Sequence, residues 1–117
     1  MDFKTTQTIY RQIVDWIFEQ ILTGNWKEGE KTMSVRELAV KFEVNPNTVT
    51  RSFDFLQTHD IITNKRGIGF FTNEGAKEKI TSIRKKEFME EEVPAFVKNL
   101  KLLNIDINEI IEIYNKN

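Results

Sequence analysis

The sequence predicts a mainly α fold with one small β-hairpin: a compact domain over residues 1–74, followed by a short two-helix tail over residues 75–117. Three observations carry this expectation. Isoleucine recurs at positions 9, 13, 17 and 21, the spacing of a helix with one apolar stripe. Two shorter segments follow, each opened by a helix-capping pattern, and then two β-prone runs flank a polar connection with glycines. Beyond about Gly75 the chain turns to Lys, Glu and Ile, and the β pattern ends.

Each element has its own signal. In residues 8–22, Val14, Phe18 and Leu22 widen the isoleucine stripe while Arg11, Asp15 and Glu19 lie opposite, and Gly24 suits the position just past the helix end. Residues 25–32 read as a polar turn in which Gly29 can take a positive φ, and Trp16 and Trp26 as packing residues. Ser34 and Glu37 form a capping box for a second helix of about residues 35–42, with Leu38, Ala39 and Phe42 as its apolar face. Asn45 is a good N-cap and Pro46 a good first helical residue, so a third helix runs from 46 to about 58. Two short helices joined by a brief turn and preceded by a longer one make a helix-turn-helix.

At about 100° per residue, Val49, Phe53 and Leu56 point into the core, while Asn47 and Arg51 point away with Thr48 and Thr50 beside them. A small, polar, hydrogen-bonding helix end of this kind suits base edges and phosphates, although a solvated helix surface has the same composition. The runs 61–63 and 70–72 then predict a hairpin whose tip, Lys65-Arg66-Gly67, sets two cations on bare backbone, suited to a sugar-phosphate rail. In the tail, Met89, Val93, Phe96, Leu100 and Leu103 alternate steps of four and three, the beat of a helix that meets another helix. Pro94 is expected to kink or split that helix. Asn104 and Ile105 read as a turn, and Asp106 with Glu109 caps a last helix bearing Ile107, Ile110, Ile111, Ile113 and Tyr114. Met89, Val93, Phe96, Leu100, Leu103, Ile107, Ile110 and Ile111 are the expected dimerisation residues, since two such helices bury their stripes better against a second copy than by folding back onto the winged domain as a monomer, the competing arrangement.

Composition narrows the function. With 39% hydrophobic and 30% charged residues, no cysteine, and His59 as the single histidine, the chain has neither disulfides nor a thiolate metal site. No run approaches the ~18 apolar residues of a membrane span, and the N-terminal residues lack the pattern of a secretory signal. The expectation is a cytoplasmic protein without cofactor or catalytic activity. The net charge of −1 argues neither for nor against nucleic acid, because what matters is the field on one face. Two other classes stay in view: a protein-binding module, if Glu43, Asp54 and Asp60 dominate the third helix and wing, and an enzyme, if His59 beside Asp60 were held in a site.

Residues 34–71, SVRELAVKFEVNPNTVTRSFDFLQTHDIITNKRGIGFF, resemble the winged helix-turn-helix of the GntR family of bacterial transcriptional regulators. SVRELA, VNPNTVTR and RGIG carry the likeness, which extends from Thr8 to about Thr72 with the upstream helix and its GNWKEGEK turn. The short tail is similar to the YtrA-type subfamily, which lacks the large effector-binding domain of other members. The resemblance implies a DNA-binding regulator, a repressor acting as a homodimer on double-stranded DNA with an inverted-repeat operator. It implies a phosphate contact for Arg36, DNA-facing roles for Asn47, Thr48 and Arg51, and a wing tip at Arg66 and Gly67; Asn45, Thr50 and Lys65, beside them in the sequence, complete the expected DNA-binding set. Any small-molecule effector, which the sequence does not identify, would lodge between the C-terminal helices and the winged domain and act by tilting them about Pro94. The chain departs from the family pattern in carrying Glu43 and Asp60 where Gly is usual, Thr50 for Arg, Phe70 for a small wing residue, and Thr32-Met33-Ser34 for Leu-Pro-Ser, which implies a looser start to the second helix.

Overall fold

The computed structural model describes residues 8–117; residues 1–7, assigned above to the N-terminal domain, lie outside the described residues. Helix α1 spans Ile9–Leu22 and buries Ile13, Val14, Ile17, Phe18 and Ile21 completely. It ends where Gly24 takes φ +83°, with open space where a Cβ would stand, so the backbone conformation alone selects glycine there. Helix α2, Val35–Phe42, opens on the expected capping box: Ser34 Oγ accepts the Glu37 N–H at 3.1 Å, and the Glu37 carboxylate accepts the Ser34 N–H at 3.0 Å. The Ser34 N–H foremost, and the Ser34 hydroxyl after it, hold the Glu37 carboxyl below its ordinary pKa. The box is intact despite the Thr32-Met33 sequence before it, where Thr32 Oγ1 donates to the Met33 carbonyl at 2.8 Å.

Helix α3, Pro46–Thr58, starts from Asn45, whose Oδ1 accepts the Asn47 N–H at 2.8 Å. Between α2 and α3, Glu43 holds φ +54° and lets the Val44 N–H reach back to the Ala39 carbonyl at 3.0 Å. Asp60 takes φ +58° after α3, so both usual glycine positions keep the left-handed conformation with other residues in place.

Strands β1 (Ile62–Lys65) and β2 (Gly69–Thr72) pair antiparallel in the register Ile62 to Thr72 and Lys65 to Gly69. The wing also has a third rail. Lys31 bridges Phe71, the Thr32 N–H donates to the Phe70 carbonyl at 2.8 Å, and Gly29 and Glu30 exchange backbone bonds with Thr72. Residues 29–32 therefore form an edge of the wing as well as a turn, a role too short to leave any alternation in the sequence. Phe70 packs edge-on against Phe53 with centroids 4.7 Å apart, which explains a large side chain in the wing.

Helix α4, Ala76–Glu87, begins inside this unit. Both oxygens of Glu28 accept N–H bonds at its start, from Gly75 at 2.9 Å and Lys77 at 3.0 Å. Ala76 and Ile80 are buried, and the first compact unit runs on to Thr81, beyond the boundary at residue 74 that composition suggests.

The second unit, residues 82–117, holds the rest of α4, a π-helical turn at Phe88–Glu92, α5 (Val93–Leu102) and α6 (Ile107–Lys116). The chain stays helical through Pro94. A proline has no N–H and crowds the carbonyl four residues earlier. The helix answers by widening its register just upstream, where the Val93 N–H bonds to the Phe88 carbonyl. Asn104 at φ +55° ends α5, and Asp106 with Glu109 forms the second capping box at α6. Among the described residues no helix is long and apolar enough to cross a membrane.

Candidate nucleic-acid interface

Helix α3 packs on α1 and α2 and buries Val49, Phe53 and Leu56. A polar tie adds to this packing: the buried Ser52 Oγ donates to the Tyr10 carbonyl of α1 at 2.8 Å. This anchoring leaves Asn47, Thr50 and Arg51 exposed on the opposite face, with Thr48 half-buried between the two. Thr50 Oγ1 donates to the Pro46 carbonyl at 3.1 Å, and Asn45 Oδ1 serves the helix cap, so both side chains have structural duties. The Arg51 guanidinium lies over the Tyr10 ring, 4.2 Å from its centroid.

Arg36 is exposed in the first turn of α2. At the wing tip Lys65, Arg66 and Gly67 are exposed, and the Lys65 ammonium sits 4.2 Å from the Phe71 ring. Gly67 at φ +80° turns the tip, closed by an Ile68 N–H bond to the Lys65 carbonyl at 2.9 Å. Ile68 itself is 61% exposed. At Gly69, φ +137°, an added Cβ would stand 2.7 Å from Lys31 Cε, so the Lys31 stem crosses the hairpin there.

Sequence reasoning missed two residues here. Lys31 joins the wing cations through the third rail, and Tyr10 meets Arg51 across two helices; neither contact has a local sequence signal. Among the described residues Arg36, Arg51, Lys65 and Arg66 form no ion pair, which leaves their charge available to an outside anion. Glu43, Asp54 and Asp60 are exposed too, but spread over the α2–α3 turn, the second half of α3 and the loop after it. His59 is exposed at the end of α3, its ring 4.3 Å from that of Phe55.

In the second unit the expected dimerisation residues divide. Met89, Phe96, Leu103, Ile107 and Ile111 are exposed, Val93 and Ile110 are half-buried, and Leu100 is buried within the single chain. Phe88, Val97, Leu102, Ile113 and Tyr114 add to the exposed apolar surface.

Three helices followed by a paired hairpin, with a polar face on the third helix and cations at the hairpin tip, define a winged helix-turn-helix. Residues 9–72 match the bacterial regulatory proteins of the gntR family, and the chain belongs to that family. It is 34% identical over 110 residues to the uncharacterized HTH-type transcriptional regulator YhcF of Bacillus subtilis, an alignment covering 94% of this chain and 89% of that protein. With the HTH-type transcriptional repressor YtrA of the same organism it shares 40% identity over 77 residues, 66% of this chain and 59% of YtrA. A crystal structure of a GntR-family regulator from Bacteroides thetaiotaomicron superposes with a TM-score of 0.82 at 48% identity, covering 93% of this chain and 95% of that one. The protein is a transcriptional regulator whose helix-turn-helix is its DNA-binding element.

Proposed function

We propose that the chain is a cytoplasmic repressor that works as a homodimer on an inverted-repeat operator, without catalytic activity or cofactor. The observation that carries this reading is the exposed Asn47–Arg51 face of α3, set on a buried apolar base with unpaired wing cations in the same unit. In the proposed complex Asn47 and Arg51 read base edges. Thr48 and Thr50 flank them, and the Asn45 amide lies at the helix end nearest the phosphates. Arg36, Lys31, Lys65 and Arg66 hold the backbone, and Gly67 lets the wing tip approach it closely. The exposed apolar surface of the tail supports pairing with a second copy, which would set two recognition helices about 34 Å apart, one turn of duplex. The repressor assignment follows the relative YtrA, and the reading needs no effector.

Salt titration tests it. Affinity of the full chain for a duplex from its own promoter region should fall steeply with salt, and Arg66→Ala should reduce the log–log slope by about 1. Arg51→Ala should lower specific affinity by ~1–3 kcal/mol. A flat salt dependence for the unaltered protein would refute the reading.

A further inference from the structure

We propose that Tyr10 is a positioning residue for DNA reading: its ring is the platform that orients the Arg51 guanidinium toward bases. The inference rests on the interface described above and adds to it a residue from a different helix. Two neighbouring residues of α3 converge on Tyr10. Ser52 holds its backbone carbonyl at 2.8 Å, and Arg51 lies over its ring at 4.2 Å. The first contact is part-buried, made by the buried Ser52, and fixes where α1 presents the ring; the second involves the exposed Arg51 and uses that placement. A guanidinium held over an aromatic face by its π electrons gives up none of its N–H donors to a carboxylate, and they stay free for the bidentate fork of base recognition.

The chain carries an informative contrast. Arg11 also lies over a ring, 4.9 Å from Phe55, but its Nε is held by the Asp15 carboxylate at 3.2 Å. Asp15 competes for the donors of Arg11 and offsets its charge, whereas a ring orients Arg51 without doing either. An arginine held in advance loses less rotamer freedom when it meets its target. The platform therefore raises affinity for the correct sequence, where the fork is used, more than for an arbitrary one.

The test uses the full chain and two probes: a duplex enriched by the unaltered protein from a randomised library, and a scrambled duplex of equal composition. Tyr10→Ala should weaken binding to the enriched duplex roughly 3- to 10-fold and leave the scrambled duplex and the salt slope unchanged. Tyr10→Leu, which keeps the bulk of the side chain, should behave as Tyr10→Ala does, and Tyr10→Phe should retain affinity because the ring face is kept. In an Arg51→Ala background, removing Tyr10 should cost nothing further. A loss that persists in that background, or that strikes both duplexes equally, would make Tyr10 a structural residue and overturn the proposal, as would full affinity in Tyr10→Ala. Unchanged binding in Arg51→Ala itself would refute the recognition-helix reading on which the proposal stands.

Discussion

Ser34 and Asp106 perform the same task in two places. Each caps a helix, and each is answered by a glutamate three residues on, Glu37 and Glu109. Glu43 and Asn104 match as well, each ending a helix in the left-handed conformation. Yet α2 buries Leu38 and Ala39 in the core of the winged unit, while α6 leaves Ile107, Ile111 and Ile113 exposed and Tyr114 81% exposed. Capping starts and stops a helix, but a helix of ten residues is marginal in water without a surface to pack on. The winged unit supplies that surface from its own chain. The tail leaves much of its apolar face exposed, and it is this face that the proposed dimer would cover.

The contrast breaks first at the core. Phe53→Ala, which removes a buried ring packed on Phe70, should destabilise the winged unit by ~3–5 kcal/mol in urea unfolding and abolish DNA binding. Leu103→Asp should act in the opposite manner, since Leu103 is 68% exposed. It should leave the winged unit folded by circular dichroism, shift sedimentation from dimer to monomer, and weaken operator binding at least about tenfold through lost bivalency. An unaltered protein that sediments as a monomer would refute the proposed dimer, and a dimer unaffected by Leu103→Asp would place its interface away from Leu103.

The matched caps sharpen the comparison. Ser34→Ala should cost ~1 kcal/mol in the winged unit, and Asp106→Ala a similar amount at α6, read as lost helix signal and weaker dimerisation and not as a lower melting point of the winged unit. Glu43→Gly should stabilise by ~0.5–1 kcal/mol, because glycine adopts φ +54° without steric cost, and Asn104→Gly should gain less, because Asn already tolerates that region. The smallest effect concerns pH. The Glu28 carboxyl is held below its ordinary pKa by the N–H bonds of Lys77 and Gly75, and that of Glu37 by bonds from Ser34. A depressed carboxyl stabilises the fold fully above its unfolded pKa of ~4.3, and that stabilisation is lost as pH falls through the folded value. The melting temperature should therefore decline below about pH 4, and Glu28→Gln should flatten that decline.

Much of the fold was legible because its signals are local. The isoleucine stripe of α1, both capping boxes, the Asn45-Pro46 start of α3 and the glycine-bearing hairpin each lie within a few residues of chain. The outward face of α3 was legible too, since helical period alone separates Val49, Phe53 and Leu56 from Asn47 and Arg51. What stayed hidden needs two distant segments at once. Examples are Lys31 pairing with Phe71, Tyr10 beneath Arg51, Phe70 against Phe53, and Glu28 at the start of α4. Pro94 shows the same limit: sequence predicts an interrupted helix, and only the backbone shows that one π-helical turn absorbs the proline.

Residue order by itself thus determined the helices of the winged unit and the last helix, with their starts and their apolar sides, because hydrogen bonds and side-chain period act over one or two turns. Tertiary structure decided which arginine rests on which ring, how far the winged unit extends, and which apolar residues find cover within the chain. Those outcomes depend on surfaces brought together from dozens of residues apart, and no short-range rule specifies them.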